Sequence, residues 1–163
     1  MKKLGFMTIV AFGIVAFLIL MTVPLEAWKV TDISPKVPLP YNYAEIKITP
    51  AAADLPKEIA AFPGRWEDVW EDGTPAVLII KKISATKSEL IYGWGTTRYG
   101  LGDFLSLSAR VWIDKGKAYM EAYLNQYVTL IFEMDDSFQV IHGRSIRKNG
   151  SGQKITLKRI TED

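Results

Sequence analysis

From Gly64 to the end of the chain, apolar residues recur at every second position, in runs of five to ten residues broken by turn residues. A period of two belongs to a half-buried β-strand. It predicts strands at Arg65–Glu71, Ala76–Ile83, Glu89–Trp94, Phe104–Ile113, Lys117–Tyr123, Tyr127–Glu133, Phe138–His142 and Gln153–Ile160. Turn chemistry separates most of them: Glu71-Asp72-Gly73, Gly100-Leu101-Gly102-Asp103, Asp114-Lys115-Gly116, Asp135-Asp136-Ser137 and Asn149-Gly150-Ser151-Gly152. Connections of this length join antiparallel neighbours and are too short for parallel crossovers. A meander that stays open leaves two sticky edges, so closure is favoured. The expected fold is all-β: an antiparallel meander of about eight strands closed into a small barrel.

Alternation also assigns faces. Trp66, Asp68 and Trp70 share one side of the first strand, and Glu67, Val69 and Glu71 the other. Leu105, Leu107, Ala109, Val111 and Ile113 share the expected interior side of the fourth; Val128, Leu130 and Phe132, then Ile155 and Leu157, fit the same pattern. A strand of about seven residues rising ~3.3 Å each and tilted ~40° makes a barrel roughly 18 Å tall. Aromatic side chains would fill much of that height. The expected cavity is a shallow cup for one small ligand, or none.

Ahead of the strands stand three segments. Met1-Lys2-Lys3 is a positive start, and an uncharged apolar run follows from Leu4 to Leu25. Residues 1–27 read as either a cleaved signal peptide, with Leu25-Glu26-Ala27 before the cut, or a retained membrane anchor of about 20 apolar residues. The lysines hold the N-terminus in the cytoplasm, so both readings put the rest outside. Residues 28–53 contain Pro35, Pro38, Pro40 and Pro50 and read as an extended spacer; Tyr43–Ile48 could instead be one edge strand. Residues 54–163 are the barrel domain, opened by one or two helical turns over Asp54–Phe62, with Asp54 as cap and Pro63-Gly64 as stop.

Composition narrows the chemistry. The 163 residues have room for one domain, and none is cysteine. Disulfides, thiolate catalysis, Cys-ligated zinc and lipidation at a lipobox cysteine are thereby excluded. Net charge is +2 with both signs interspersed, which is no nucleic-acid footprint.

The turn leading into Gly64-Arg65-Trp66, with Arg159 near the end of the last strand, resembles the calycin group, lipocalins above all. The resemblance covers about Asp54 to Ile160. It implies that Trp66 closes one end of the barrel and that Arg159 packs over its indole, with Gly64 beside them. A guanidinium over an indole face is a favourable cation–π contact. The chain is shorter than a typical lipocalin, has no disulfide and shows no C-terminal helix. It therefore looks like a compact lipocalin-like domain of bacterial cell envelopes.

Candidate ligand-binding residues are Trp70, Tyr92, Trp94, Arg98 and Tyr99. The stretch Tyr92–Gly100 sets aromatics and one arginine among glycines, which is what a ligand rim needs: stacking faces, close backbone approach and a grip for an anion or hydroxyl. The plainer reading is a strand end with core aromatics. Asp68, if interior, needs a cation such as Arg98 or Arg110, unless a bulge turns it outward. Glu67, Asp68, Glu71 and Asp72 sit on one strand and its turn, which suits a solvated edge better than a glycosidase pair. His142 is the only histidine, so neither a zinc site nor a Ser-His-Asp arrangement is indicated. Arg144–Lys148 reads as a solvated hairpin arm that could touch anionic lipid or a wall polymer.

These residues imply no cofactor and no metal. The function they favour is a non-enzymatic extracytoplasmic barrel, anchored or secreted, that binds a small apolar, amphiphilic or sugar ligand. The expected partners are the membrane, through the N-terminal segment, and that ligand. The alternatives are an envelope interaction module with a filled barrel, and a hydrolase or hydrolase-accessory domain.

Overall fold

The computed structural model describes Val37, residues 45–96 and residues 100–160. The apolar leader, most of the proline-containing segment, and Arg98 and Tyr99 lie outside the described residues. One short helix, α1 (Lys57–Ala60), precedes β1 (Gly64–Val69), β2 (Pro75–Ile83), β3 (Lys87–Trp94), β4 (Asp103–Asp114), β5 (Lys117–Asn125), β6 (Val128–Met134), β7 (Val140–Arg147) and β8 (Gly152–Arg159). Each strand pairs antiparallel with the next, and β8 pairs back onto β1, which closes an eight-stranded barrel compatible with a calycin-like fold. Among the described residues no helix is long and apolar enough to cross a membrane.

The alternating pattern fills the interior. Leu78, Ile80, Leu90, Met120, Leu130, Phe132, Ile141 and Leu157 point inward and are shut off from solvent. Gly143 helps Phe132 to fit: a Cβ there would run into both Phe132 and Ile155. The inward row of β4 is only partly buried, because this strand is twelve residues long and outruns the wall. Ala109 and Val111 are core, but Leu105 and Ile113, expected inside, stand 37% and 41% exposed at the two ends.

One end is sealed. Trp66 is fully buried, and its Nε1 donates to the Phe62 carbonyl at 3.0 Å. Arg159 lies directly across the β1–β8 ladder from Trp66, with its guanidinium carbon 4.0 Å from the indole centroid. The same guanidinium donates to the Pro63 carbonyl at 3.0 Å and to the Ala61 carbonyl. It thus ties the helix exit to the last strand. Gly64 has φ of +149°, and a Cβ there would occupy the space of the Arg159 guanidinium, so a side chain is excluded twice over. Helix α1 adds Ile59 to this lid. It is a single turn inside the expected stretch Asp54–Phe62. Its N-cap is Pro56 without a side-chain bond, so Asp54 does not cap it.

A second, smaller cluster lies on the outside. Val77, Ile79 and Ile91 face outward from β2 and β3 yet are buried, under Val37, Ile46, Ile48 and Phe104. Thr49 N donates to the Lys81 carbonyl at 2.7 Å, and Arg65 Nη2 to the Ile46 carbonyl at 3.3 Å. Over Ile46–Thr49 the chain is therefore laid along the wall, in no strand. Asp68 finds a partner that local reasoning could not supply. It pairs with Lys158 of the last strand at 3.3 Å; Arg110 pairs with Glu121 instead, and Arg98 lies outside the described residues.

Trp66→Ala is expected to destabilise the fold by about 3–5 kcal/mol, the range for emptying a buried aromatic site. Urea unfolding checks it: the midpoint should fall sharply while the slope holds. Arg159→Leu keeps bulk over the indole but leaves carbonyls at Ala61 and Pro63 unmatched, and should cost about 1–3 kcal/mol.

Candidate functional site

The other end of the barrel is open. The β1–β2, β3–β4, β5–β6 and β7–β8 connections surround it. Strand parity, which buries Trp66, Leu78 and Leu90 lower down, here turns aromatics inward: Trp70 just past the end of β1, and Tyr92 and Trp94 at the end of β3. Trp70 and Tyr92 are 5% and 4% exposed, and Trp94 is half-buried. Their rings form one assembly. Trp70 Nε1 donates to the Tyr92 hydroxyl at 2.9 Å, and the Tyr92 and Trp94 rings stack with centroids 5.9 Å apart at 26°.

These three residues line a cup of about 260 Å³, walled on the far side by Leu124, Val128 and Leu130. Polar groups stand at its lip: Asp72, Ser145, Arg147 and Gln153. Asp72 is held in place, accepting from Thr74 N at 3.0 Å and from Gln153 Nε2 at 2.9 Å. Burial pushes its carboxyl up, but these bonds outweigh burial and leave the pKa below the usual carboxylate value. Asp72 is therefore a poor proton donor, and both its oxygens are engaged. Arg147 is different. No described carboxylate pairs with its guanidinium, which leaves it able to meet an anionic or hydroxyl group above the aromatic floor.

Burial moves the Tyr92 phenol up to about 12, offset in part by the Trp70 N–H. It is neutral at any ordinary pH. Its oxygen accepts from Trp70, and among the described residues its own hydrogen has no acceptor. An unspent donor over an apolar floor suits an oxygen-bearing ligand.

Of the residues singled out from sequence, the structure brings Trp70, Tyr92 and Trp94 together at the cup. Arg98 and Tyr99 lie outside the described residues. Gly64, Trp66 and Arg159 converge at the opposite, sealed end. Sequence reasoning missed Arg147, Gln153, Leu124 and Val128. Arg147 was in view only as part of a basic arm; that β7 runs on to residue 147 and turns this side chain inward is what brings it to the cup. His142 projects from the outer wall, away from the cup. No protein-family model matches the sequence, and no curated protein is significantly similar to it.

Tyr92→Phe should strand the Trp70 N–H and cost about 1–3 kcal/mol in urea unfolding. Tyr92 also makes stability fall in alkali. Its folded pKa of about 12 lies above the unfolded value of 10.0, so the neutral phenol favours the fold. That contribution is whole below about pH 10 and disappears as pH climbs to about 12. Phenolate absorbance should show one late-titrating tyrosine that is missing in Tyr92→Phe.

Proposed function

We propose that this chain is a non-enzymatic, lipocalin-like binding barrel of the bacterial cell envelope, held outside the cytoplasmic membrane as an anchored or secreted protein. Its ligand enters the open end and rests a ring or short apolar segment on Trp70, Tyr92 and Trp94. One observation supports this above the others: the barrel is asymmetric. One end is stoppered by Trp66 and Arg159, while the other is a cup with an aromatic floor and, at its lip, an arginine that no carboxylate among the described residues pairs with.

Size narrows the ligand. Pockets that enclose a drug-sized molecule run from about 300 to 1,000 Å³. At about 260 Å³, and open above, the cup takes part of a small molecule and leaves the remainder in water. A sugar ring stacked on Trp94, or the tip of an amphiphile whose polar group meets Arg147 and the Tyr92 hydroxyl, fits that volume. A long acyl chain does not, because Phe132, Met120 and Leu78 fill the barrel below. That filling is what favours the second reading, an interaction module working through its outer surface. Hydrolysis is the least supported. Asp72 is the one carboxylate among the described residues of the cup, and both its oxygens are taken.

The test is ligand capture by the full chain. Native mass spectrometry of protein purified from its own host, and quenching of tryptophan fluorescence by short amphiphiles and by sugars, should both report a bound species. Trp94→Ala and Arg147→Gln should each weaken that binding by about tenfold. No bound species, together with no quenching across both ligand classes, would sink the binding reading.

A further inference from the structure

The outer wall formed by β5 to β8 distributes its charges unevenly. One outward row across it runs Tyr119, Glu133, His142, Thr156, and the next runs Glu121, Ile131, Arg144, Lys154. The carboxylates in these rows are already taken. Glu121 lies 3.5 Å from Arg110 Nε, and Glu133 pairs with Lys117. The cations are not: among the described residues no carboxylate pairs with Arg144 or Lys154. Glu71, which approaches Lys154, accepts from its backbone N–H at 3.0 Å instead of its ammonium. Arg144 and Lys154 also face each other directly in the β7–β8 ladder. Like charges so placed repel, and an anion held between them turns that repulsion into attraction.

The wall is concave there. A depression of about 370 Å³ is bordered by Ile131, His142, Arg144, Lys154, Thr156 and Glu133, the last already held by Lys117. Toward the open end the same wall carries large apolar side chains in water. Tyr123 is 64% exposed and Tyr127 58%, with Ile146 nearby across the sheet. Lys148 N donates to the Tyr127 carbonyl at 2.9 Å, which brings the Lys148 backbone alongside that of Tyr127; among the described residues no carboxylate pairs with Lys148. The centre of a protein–protein interface is depleted in lysine. Exposed tyrosines interleaved with unpaired cations instead match the headgroup layer of an anionic membrane, where rings sit between water and acyl chains and cations meet phosphate.

We propose that this wall docks on an anionic bilayer surface, with Arg144 and Lys154 holding a lipid phosphate in the depression and Tyr123 and Tyr127 seated among the headgroups. The proposal is independent of the cup and of how the N-terminal segment meets a membrane, and its readout must be local for that reason. The full chain is mixed with vesicles of phosphatidylcholine alone or with added phosphatidylglycerol, and the acetylation rate of individual lysines is followed. Lys148 and Lys154 should react about tenfold more slowly on the anionic vesicles, while Lys82 on β2 keeps its rate; added salt should restore them. Arg144→Gln should reduce the protection of Lys154 to under about threefold. This side chain is exposed, and an unchanged urea midpoint reports that the variant is folded. Equal Lys154 rates on neutral and anionic vesicles would overturn the proposal. Protection by inorganic phosphate with none from anionic vesicles would overturn it too, as would full protection in Arg144→Gln.

Discussion

The barrel closes along its thinnest ladder. Every other pair of neighbouring strands shares six to eight residue pairs, but β1 and β8 share two, Trp66 with Arg159 and Glu67 with Lys158. Side chains bridge what the backbone leaves thin. Arg159 covers Trp66 and holds the Ala61 and Pro63 carbonyls; Lys158 pairs with Asp68; Glu71 and Asp72 reach Lys154 and Gln153. The acidic stretch at the end of β1 is thus a clasp on β8. Its residues line up along one strand because the seam runs along that strand.

That clasp also explains why the two ends differ. At the helix end the bridge is a half-buried cation on a fully buried indole, which completes the core. At the other end it is Gln153 on Asp72, a polar contact that can remain wet. Tyr92 and Trp94 therefore meet solvent across a lip of hydrophilic groups and not across a second plug. A polar seam at one end is what leaves room for a cup.

Most of the fold was legible because it depends on local pattern. Period-two alternation and short turns give strand number, handedness of faces and hairpin order, and Gly64, Trp66 and Arg159 fall inward by the same parity. Tyr92 and Trp94 share the inward parity of Leu90. What stayed hidden depends on contacts between distant segments. Asp68 meets Lys158 only after closure. Arg147, Val128 and Leu124 reach the cup from strands paired far downstream of Trp70. Leu105 and Ile113 have the right parity, but β4 is longer than the wall it belongs to. The outer cluster had a signal in view: Ala76-Val77-Leu78-Ile79-Ile80 is apolar without interruption, as expected of a strand buried on both faces.

That doubly buried strand bears on where this molecule can be cut. Val77, Ile79 and Ile91 stay dry because Ile46, Ile48 and Val37 lie over them. A fragment begun at the helix would keep the cylinder but strip its sleeve, leaving three aliphatic groups side by side in water as an adhesive strip. Such a fragment would gain a tendency to self-associate through that strip. The smallest self-sufficient unit therefore includes the arm upstream of the helix, in keeping with the compact body that spans Ser34–Asp163.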